Sequence, residues 1–99
     1  MTPYQRGVRL EYLARDVLRQ RGYSVVRSAG SHGAIDLVAL NEREILLIQV
    51  KLRGQAIGAA LDKLSAVPGP RCARRQVWVY HPASGRTPAC WQVVDGHRR

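Results

Sequence analysis

Ninety-nine residues are expected to fold as one domain, 1–99, able to hold a core without staples, since about 60–70% of the unfolded surface is then buried. Fourteen Arg and two Lys against seven Asp and Glu leave a net charge of +9, which points to a phosphate-rich polyanion. No run of about 18 apolar residues and no leader pattern occur, and the Arg residues are scattered, so a membrane span, secretion and a membrane surface are set aside and a cytoplasmic location is expected.

Thr2-Pro3 reads as a helix start, a hydroxyl residue to cap and a Pro at the first helical position. Leu10, Leu13, Ala14, Val17 and Leu18 recur at helical spacing. Gly22, after Arg19 and Arg21, supplies a left-handed stop with cations at the negative end of the dipole. The spacing predicts a helix over residues 3–21. Residues 23–28 read as a short strand, Gly30-Ser31-His32-Gly33 as a loop, and Ala34 to Leu40 as a second strand. A tight turn, Asn41-Glu42-Arg43-Glu44, leads to a third strand from Ile45 to Arg53, apolar on both faces and so covered on both sides. Ile57, Ala60, Leu61 and Leu64 mark a second helix, ended by Pro68-Gly69-Pro70. Gln76 to Tyr80 is a fourth strand, and Cys90 to Val94 an edge strand. The order αβββαββ predicts an α/β (α+β) fold, a mixed central sheet flanked by helices. Trp78, Tyr80 and Trp91 alternate with Val and are expected in the core or a dimer interface. Cys72 and Cys90 form no C-x-x-C pair and have no His at ligand spacing, so they are expected as buried, reduced thiols and not as a zinc site.

Polar residues break the hydrophobic pattern of the second and third strands. Asp36 interrupts one; Gln49 and Lys51 interrupt the other. A polar group on a central strand costs stability unless it is paired or functional. If Glu42-Arg43 is a two-residue hairpin loop, Asp36 falls opposite Gln49, and Lys51 projects from the same face. Glu11, about 90° from the centre of the helix's apolar stripe, can be aimed at this cluster from the rim. Oxygen donors of this kind suit Mg²⁺, which polarises a scissile phosphate and acidifies a water; Lys51 would orient that water and offset the developing charge. The same spacing also allows a salt bridge between Lys51 and Asp36 and a solvated Glu11, with no catalysis.

Glu11, the run Gly30-Ser31-His32-Gly33-Ala34-Ile35-Asp36-Leu37-Val38-Ala39 and the run Ile48-Gln49-Val50-Lys51 together resemble the PD-(D/E)xK nuclease superfamily. Within it they are most similar to the small archaeal-type Holliday junction resolvases, over roughly the first two thirds of the chain. The resemblance implies a restriction-endonuclease-like αβββαβ core, a homodimer, and paired nicking of four-way DNA junctions with Mg²⁺, Mn²⁺ being a substitute, and no small-molecule cofactor. It further implies that Asp36 is the central metal ligand, Glu11 the helical one, and the Val50 carbonyl a further one. Gln49 would take the place of the motif's acidic residue, Lys51 is the motif lysine, and Ser31 matches a loop serine near the scissile phosphate. Two departures stand out: Ile35 replaces the nominal Pro, and Gln49 brings a carbonyl without charge, which weakens the hold on a hard cation.

Arg6, Arg9, Arg27 and Arg53 flank these residues and, with Ser31 and His32, are candidates for DNA contact. The rival readings are an Mrr-like or other branched-DNA nuclease and a DNA-binding module that kept the fold without catalysis.

Overall fold

The computed structural model describes residues 1–28 and 33–96. Helix α1 (Pro3–Gln20) is followed by strands β1 (Ser24–Arg27), β2 (Leu37–Leu40) and β3 (Ile45–Leu52). Helix α2 (Ile57–Ser65) then leads to β4 (Ala73–His81) and β5 (Cys90–Asp95). The five strands form one sheet in the order β1-β2-β3-β4-β5. Neighbours are antiparallel except β3 and β4, which run parallel with α2 as their crossover. The expected order αβββαββ and the mixed sheet are both present.

Both ends of α1 follow from the sequence. Thr2 caps it through a reciprocal pair: its hydroxyl accepts from the Gln5 N–H at 3.1 Å, and the Gln5 side chain accepts from the Thr2 N–H at 2.9 Å. Arg21 is the C-cap, and Gly22 follows with φ of 91°. The Gly22 N–H donates to the Arg19 carbonyl and the Tyr23 N–H to the Leu18 carbonyl, which closes the last turn. Because the Tyr23 N–H is spent on the helix, β1 starts at Ser24 rather than at residue 23.

The hairpin between β2 and β3 has the two-residue loop Glu42-Arg43. The Asn41 side-chain oxygen accepts from the N–H groups of Arg43 and Glu44 at 2.8 and 2.9 Å. Leu37 pairs with Ile48 and Leu40 with Ile45, the register expected from the sequence. β2 itself begins at Leu37 and not at Ala34. Ala34 and Ile35, adjacent in sequence, both pack on the α2 side, which the strict alternation of a strand does not permit.

Two layers of apolar side chains hold the helices. Leu10, Ala14 and Leu18 of α1 pack on Leu37, Ala39, Leu46, Ile48, Val50 and Trp78. On the opposite face, Ala60 and Leu64 of α2 pack on Leu47, Ala73, Val77 and Val79. Trp78 is in the core with Tyr80 and Trp91 packed beside it, the Trp91 ring 4.9 Å from Tyr80 and 5.7 Å from Trp78. Leu13, expected in the stripe, is exposed.

β4 starts three residues earlier than expected, because Arg74 and Arg75 are built into the strand. Arg74 bridges Glu44, just before β3, at 3.3 Å and Asp95, at the end of β5, at 3.2 Å. Arg75, only 9% exposed, donates to the carbonyl of Val67, just beyond the end of α2, at 2.6 Å and to that of Ala73, at the start of β4, at 3.3 Å. Cys72 and Cys90 are exposed, which overturns their expected burial: one precedes β4, and the other opens the edge strand β5. No helix among the described residues is long and apolar enough to cross a membrane.

Candidate functional site

Gln49 and Lys51 alternate with the buried Ile48 and Val50 along β3 and therefore face the α2 side of the sheet. Asp36 sits one residue before β2, just beyond the paired positions: its N–H donates to the Ile48 carbonyl at 2.8 Å, and its carbonyl accepts from the Ser28 N–H at 2.9 Å. Its side chain turns towards β3, where Oδ2 accepts from the Val50 N–H at 2.8 Å. Asp36, Gln49 and Lys51 thus line one cleft of about 410 Å³ together with Gly33, Ala56, Ala59, Ala60 and Lys63. The three side chains share the cleft, although the paired register ends at Leu37 and Ile48, one residue short of the expected Asp36–Gln49 pair.

The far wall of the cleft was not legible. It is the first two turns of α2, whose N-cap is Ala56, with no side-chain hydrogen bond to the first-turn N–H groups. Small residues at 56, 59 and 60 keep that wall low, and Lys63 adds a second ammonium. Only the crossover geometry brings α2 over these strands, so the sequence carried no local signal for Lys63. With one carboxylate and two lysines the cleft is net positive, a setting for an anion.

Asp36 forms no ion pair among the described residues, so the salt bridge with Lys51 that the spacing allowed is not made. Burial holds its carboxyl above the usual range, partly offset by the Val50 N–H and by the charge of Lys51.

Glu11 does not line the cleft. It sits half-buried on α1, whose apolar face covers the other side of the sheet, and Oε1 accepts from Arg27 at 3.1 Å. Its carboxyl is also held above the usual range, first by burial and further by the charge of Asp36, with Arg27 pulling it back. Glu11 thus feels the charge of Asp36, but its engaged partner is Arg27.

Val50 is buried on β3. Because its N–H points to Asp36, its carbonyl is turned to that same edge of the strand. Arg6 and Arg9 are exposed on α1, Arg27 is half-buried on β1, and Arg53 is exposed just past β3, its N–H bonded to the Tyr80 carbonyl at 2.9 Å. None of the four lines the cleft, and Arg6 and Arg9 ride on the helix that covers the other face of the sheet. Ser31 and His32 lie outside the described residues.

The donors within the cleft are of the kind a hard cation takes: the Asp36 carboxylate and an amide oxygen at Gln49, with the Val50 carbonyl turned to the same strand edge, while Glu11 stands outside the cleft. The set is sparse, since no group of three or more His, Cys, Asp or Glu gathers among the described residues. The half-buried charge of Asp36 is what a cation would offset.

A mixed sheet with a helix on each face, and Asp36 beside a Gln-x-Lys run on a central strand, fits the PD-(D/E)xK nuclease class. The sequence model of the archaeal Holliday junction resolvase (hjc) family matches residues 2–62, more than half of the chain, and the chain belongs to that family. In a 1.6 Å structure, Hjc from Archaeoglobus fulgidus, a Holliday junction resolvase from an archaeal hyperthermophile, has the same fold. It superposes with a TM-score of 0.70 at 24% identity, covering 91% of this chain and 72% of that one. Among curated sequences, a UPF0102 protein of Parvibaculum lavamentivorans is 40% identical over 62 residues, 61% of this chain and 47% of the relative. A UPF0102 protein of Dichelobacter nodosus is 33% identical over 75 residues, 73% of this chain and 60% of the relative. The chain therefore spans about half to three fifths of the length of these two relatives.

Proposed function

We propose that this chain is a metal-dependent, structure-selective endodeoxyribonuclease that makes paired nicks in four-way DNA junctions. The observation that carries the reading is the hydrogen bond from Val50 to Asp36, which joins the family's aspartate to the strand bearing Gln49 and Lys51. Family membership and the net charge of +9 support DNA as the substrate.

In this reading Asp36, Gln49, the Val50 carbonyl and Glu11 hold a divalent cation, Mg²⁺ or Mn²⁺. When bound, such an ion supplies polarisation of the phosphoryl oxygens and acidification of a water. Asp36 aligns the donor set through its bond to β3. Lys51 orients the attacking water and offsets the charge that gathers on the phosphate oxygens in the transition state. Lys63 and the uncapped first turn of α2 hold the phosphate against the far wall. Arg6, Arg9, Arg27 and Arg53, with Ser31 and His32, hold flanking phosphates. A single domain of residues 1–99 offers one such centre, so two symmetric nicks call for a homodimer on branched double-stranded DNA.

One observation favours a second reading. Gln49 stands where the motif has an acidic residue, and the donor set is sparse; both fit a DNA-binding module on the same fold that does not cut. The deciding assay is cleavage of a four-way junction beside matched linear duplex and single-stranded DNA, with and without Mg²⁺. Selective, Mg²⁺-dependent nicking of the junction supports the nuclease; cutting of all three alike points to a less selective Mrr-like enzyme; tight binding with no cleavage favours the module.

A further inference from the structure

β5 is an edge strand without the usual protection of an edge. No strand follows it among the described residues, and Cys90–Asp95 contains no Pro and no Lys. β1, the opposite edge, is kept to four residues and ends on Arg27. The main packing of α1 is on β1, β2 and β3, and that of α2 on β3 and β4, so β5 lies outside both. Residues 88–95 hold no Lys or Arg in a chain that carries sixteen. The Gly96 N–H donates to the Arg75 carbonyl. Because an antiparallel ladder alternates, the N–H and C=O groups of Trp91, Val93 and Asp95 are turned to the open edge. Val93 is 39% exposed, and Trp91 is half-buried beside Tyr80.

A stretch without cations gives DNA little to hold, but it lets two copies of a chain of charge +9 meet without direct repulsion. An antiparallel edge is also complementary to itself under a twofold axis, since each copy offers the groups that the other needs. Centred on Gln92, the pairing sets Trp91 against the partner's Val93, an aromatic ring on a β-branched residue, on both sides of the axis. Asp95 keeps its bonds to Arg74 and Gln76. The row that holds the axis runs Gln92–Val79–Lys51 and so passes through the cleft. An axis perpendicular to the sheet keeps both α2 faces on one side. The two Lys51 positions then stand five strand spacings apart, about 24 Å. Sheet twist tilts each cleft by roughly 50–60° from the axis and leaves both open to that side.

We propose that β5 is the surface on which a second copy of this chain docks, the two strands joining antiparallel about Gln92. Two five-stranded sheets thereby become one ten-stranded sheet with both clefts on the same face. The proposal rests on the paired-nicking reading and deepens it: β5 sets the spacing of the two centres.

The test is cross-linking and sedimentation of the full chain, with and without a four-way junction. In a Cys72→Ala, Cys90→Ala background, Gln92→Cys faces its own copy across the axis within disulfide reach. Treated with oxidised glutathione, it is expected to form a covalent dimer. Val26→Cys, exposed on the opposite edge β1, stays a monomer on the same gel. Wild type sediments as a dimer. Val93→Lys brings two cations to the axis and weakens dimerisation by about tenfold or more, with an unchanged circular dichroism spectrum. If Val93→Lys fails to fold, the cross-link decides. No cross-link through Gln92→Cys in either condition overturns the interface. So does an equal cross-link through Val26→Cys, or a folded Val93→Lys that dimerises like wild type. Cross-linking through Gln92→Cys in a protein that cuts no junction with Mg²⁺ leaves the interface standing and sinks the nuclease reading instead.

Discussion

Asp36 accepts a 2.8 Å hydrogen bond from the backbone N–H of Val50, the residue between Gln49 and Lys51. One contact thereby fixes the position of the aspartate relative to both polar side chains of β3. It also separates two substitutions that are usually treated alike. Asn at position 36 keeps an acceptor for Val50 and removes a charge that burial disfavours; Ala removes both. Asp36→Asn is expected to be more stable than Asp36→Ala by about 1–3 kcal/mol, the cost of a buried unpaired donor, and neither variant cuts DNA. Urea unfolding and a cleavage assay check this. Cleavage by either variant at more than a trace removes Asp36 from the centre.

The same carboxyl gives a pH dependence with a definite sign. Folding raises the affinity of Asp36 and Glu11 for a proton, so the native state binds more protons than the unfolded chain between the ordinary and the raised values. Through that window these two groups make stability fall as pH rises. Glu44, lowered mainly by its hydrogen bond from Tyr23, acts in the opposite direction, so the useful quantity is a difference. Between wild type and Asp36→Asn, the stability gap in metal-free buffer widens in favour of Asn as pH rises from the acid range to neutrality. Mg²⁺ narrows it by stabilising wild type alone. A gap constant with pH contradicts the burial of a charged Asp36.

Glu11 is engaged by Arg27, and a cation at the donor set must compete with that guanidinium. Arg27→Gln is therefore expected to lower the Mg²⁺ concentration needed for half-maximal cleavage while weakening DNA binding. An increased Mg²⁺ requirement would show that Arg27 positions Glu11 rather than competing for it.

Much of this arrangement was written in short-range signals. Thr2, Pro3 and Gly22 bound α1 because caps are local chemistry, and the loop Glu42-Arg43 set the register of β2 on β3. What stayed hidden depends on tertiary geometry. Arg74 and Arg75 look like surface until Glu44, Asp95 and the carbonyls beyond α2 are brought to them. Lys63 is an ordinary helix lysine until the crossover lays α2 along the cleft. The pair Arg27–Glu11 joins residues from different elements, and no periodicity announces it.

Lys63 lines the cleft without touching the donor residues in the described hydrogen-bond network, so its expected contribution is to binding. Lys63→Ala should raise KM for junction DNA by about three- to tenfold, the scale of one phosphate contact, with kcat nearly unchanged and a shallower salt dependence. Lys63→Arg should restore most of the affinity. A fall in kcat at constant KM would place Lys63 in the chemistry instead.

Paired nicking requires two centres related by symmetry. Light scattering is expected to give a dimer with a four-way junction present, and binding is expected to weaken steeply with salt. Monomers only, or equal affinity for linear duplex in competition, would remove junction resolution from the reading.

Gln49 offers the sharpest test. It lines the cleft beside Asp36 and Lys51, half-buried, on a central strand. As a neutral ligand in the place of a carboxylate, it brings an oxygen without charge, so Gln49→Glu should keep activity and lower the Mg²⁺ needed for half-maximal cleavage. The added carboxylate attracts the cation, and Lys51 and Lys63 offset its charge when no cation is bound. Gln49→Leu, similar in bulk and lacking the carbonyl, should lose most activity with little change in stability. A Gln that merely fills polar space in the sheet gives the reverse pattern. An unpaired charge buried there would cost about 1–3 kcal/mol or more, and Leu would be the milder substitution. Urea midpoints and Mg²⁺ titrations of the two variants, taken side by side, separate these cases. A Glu variant that is unstable or inactive, beside a Leu variant that still cuts, takes Gln49 out of the site.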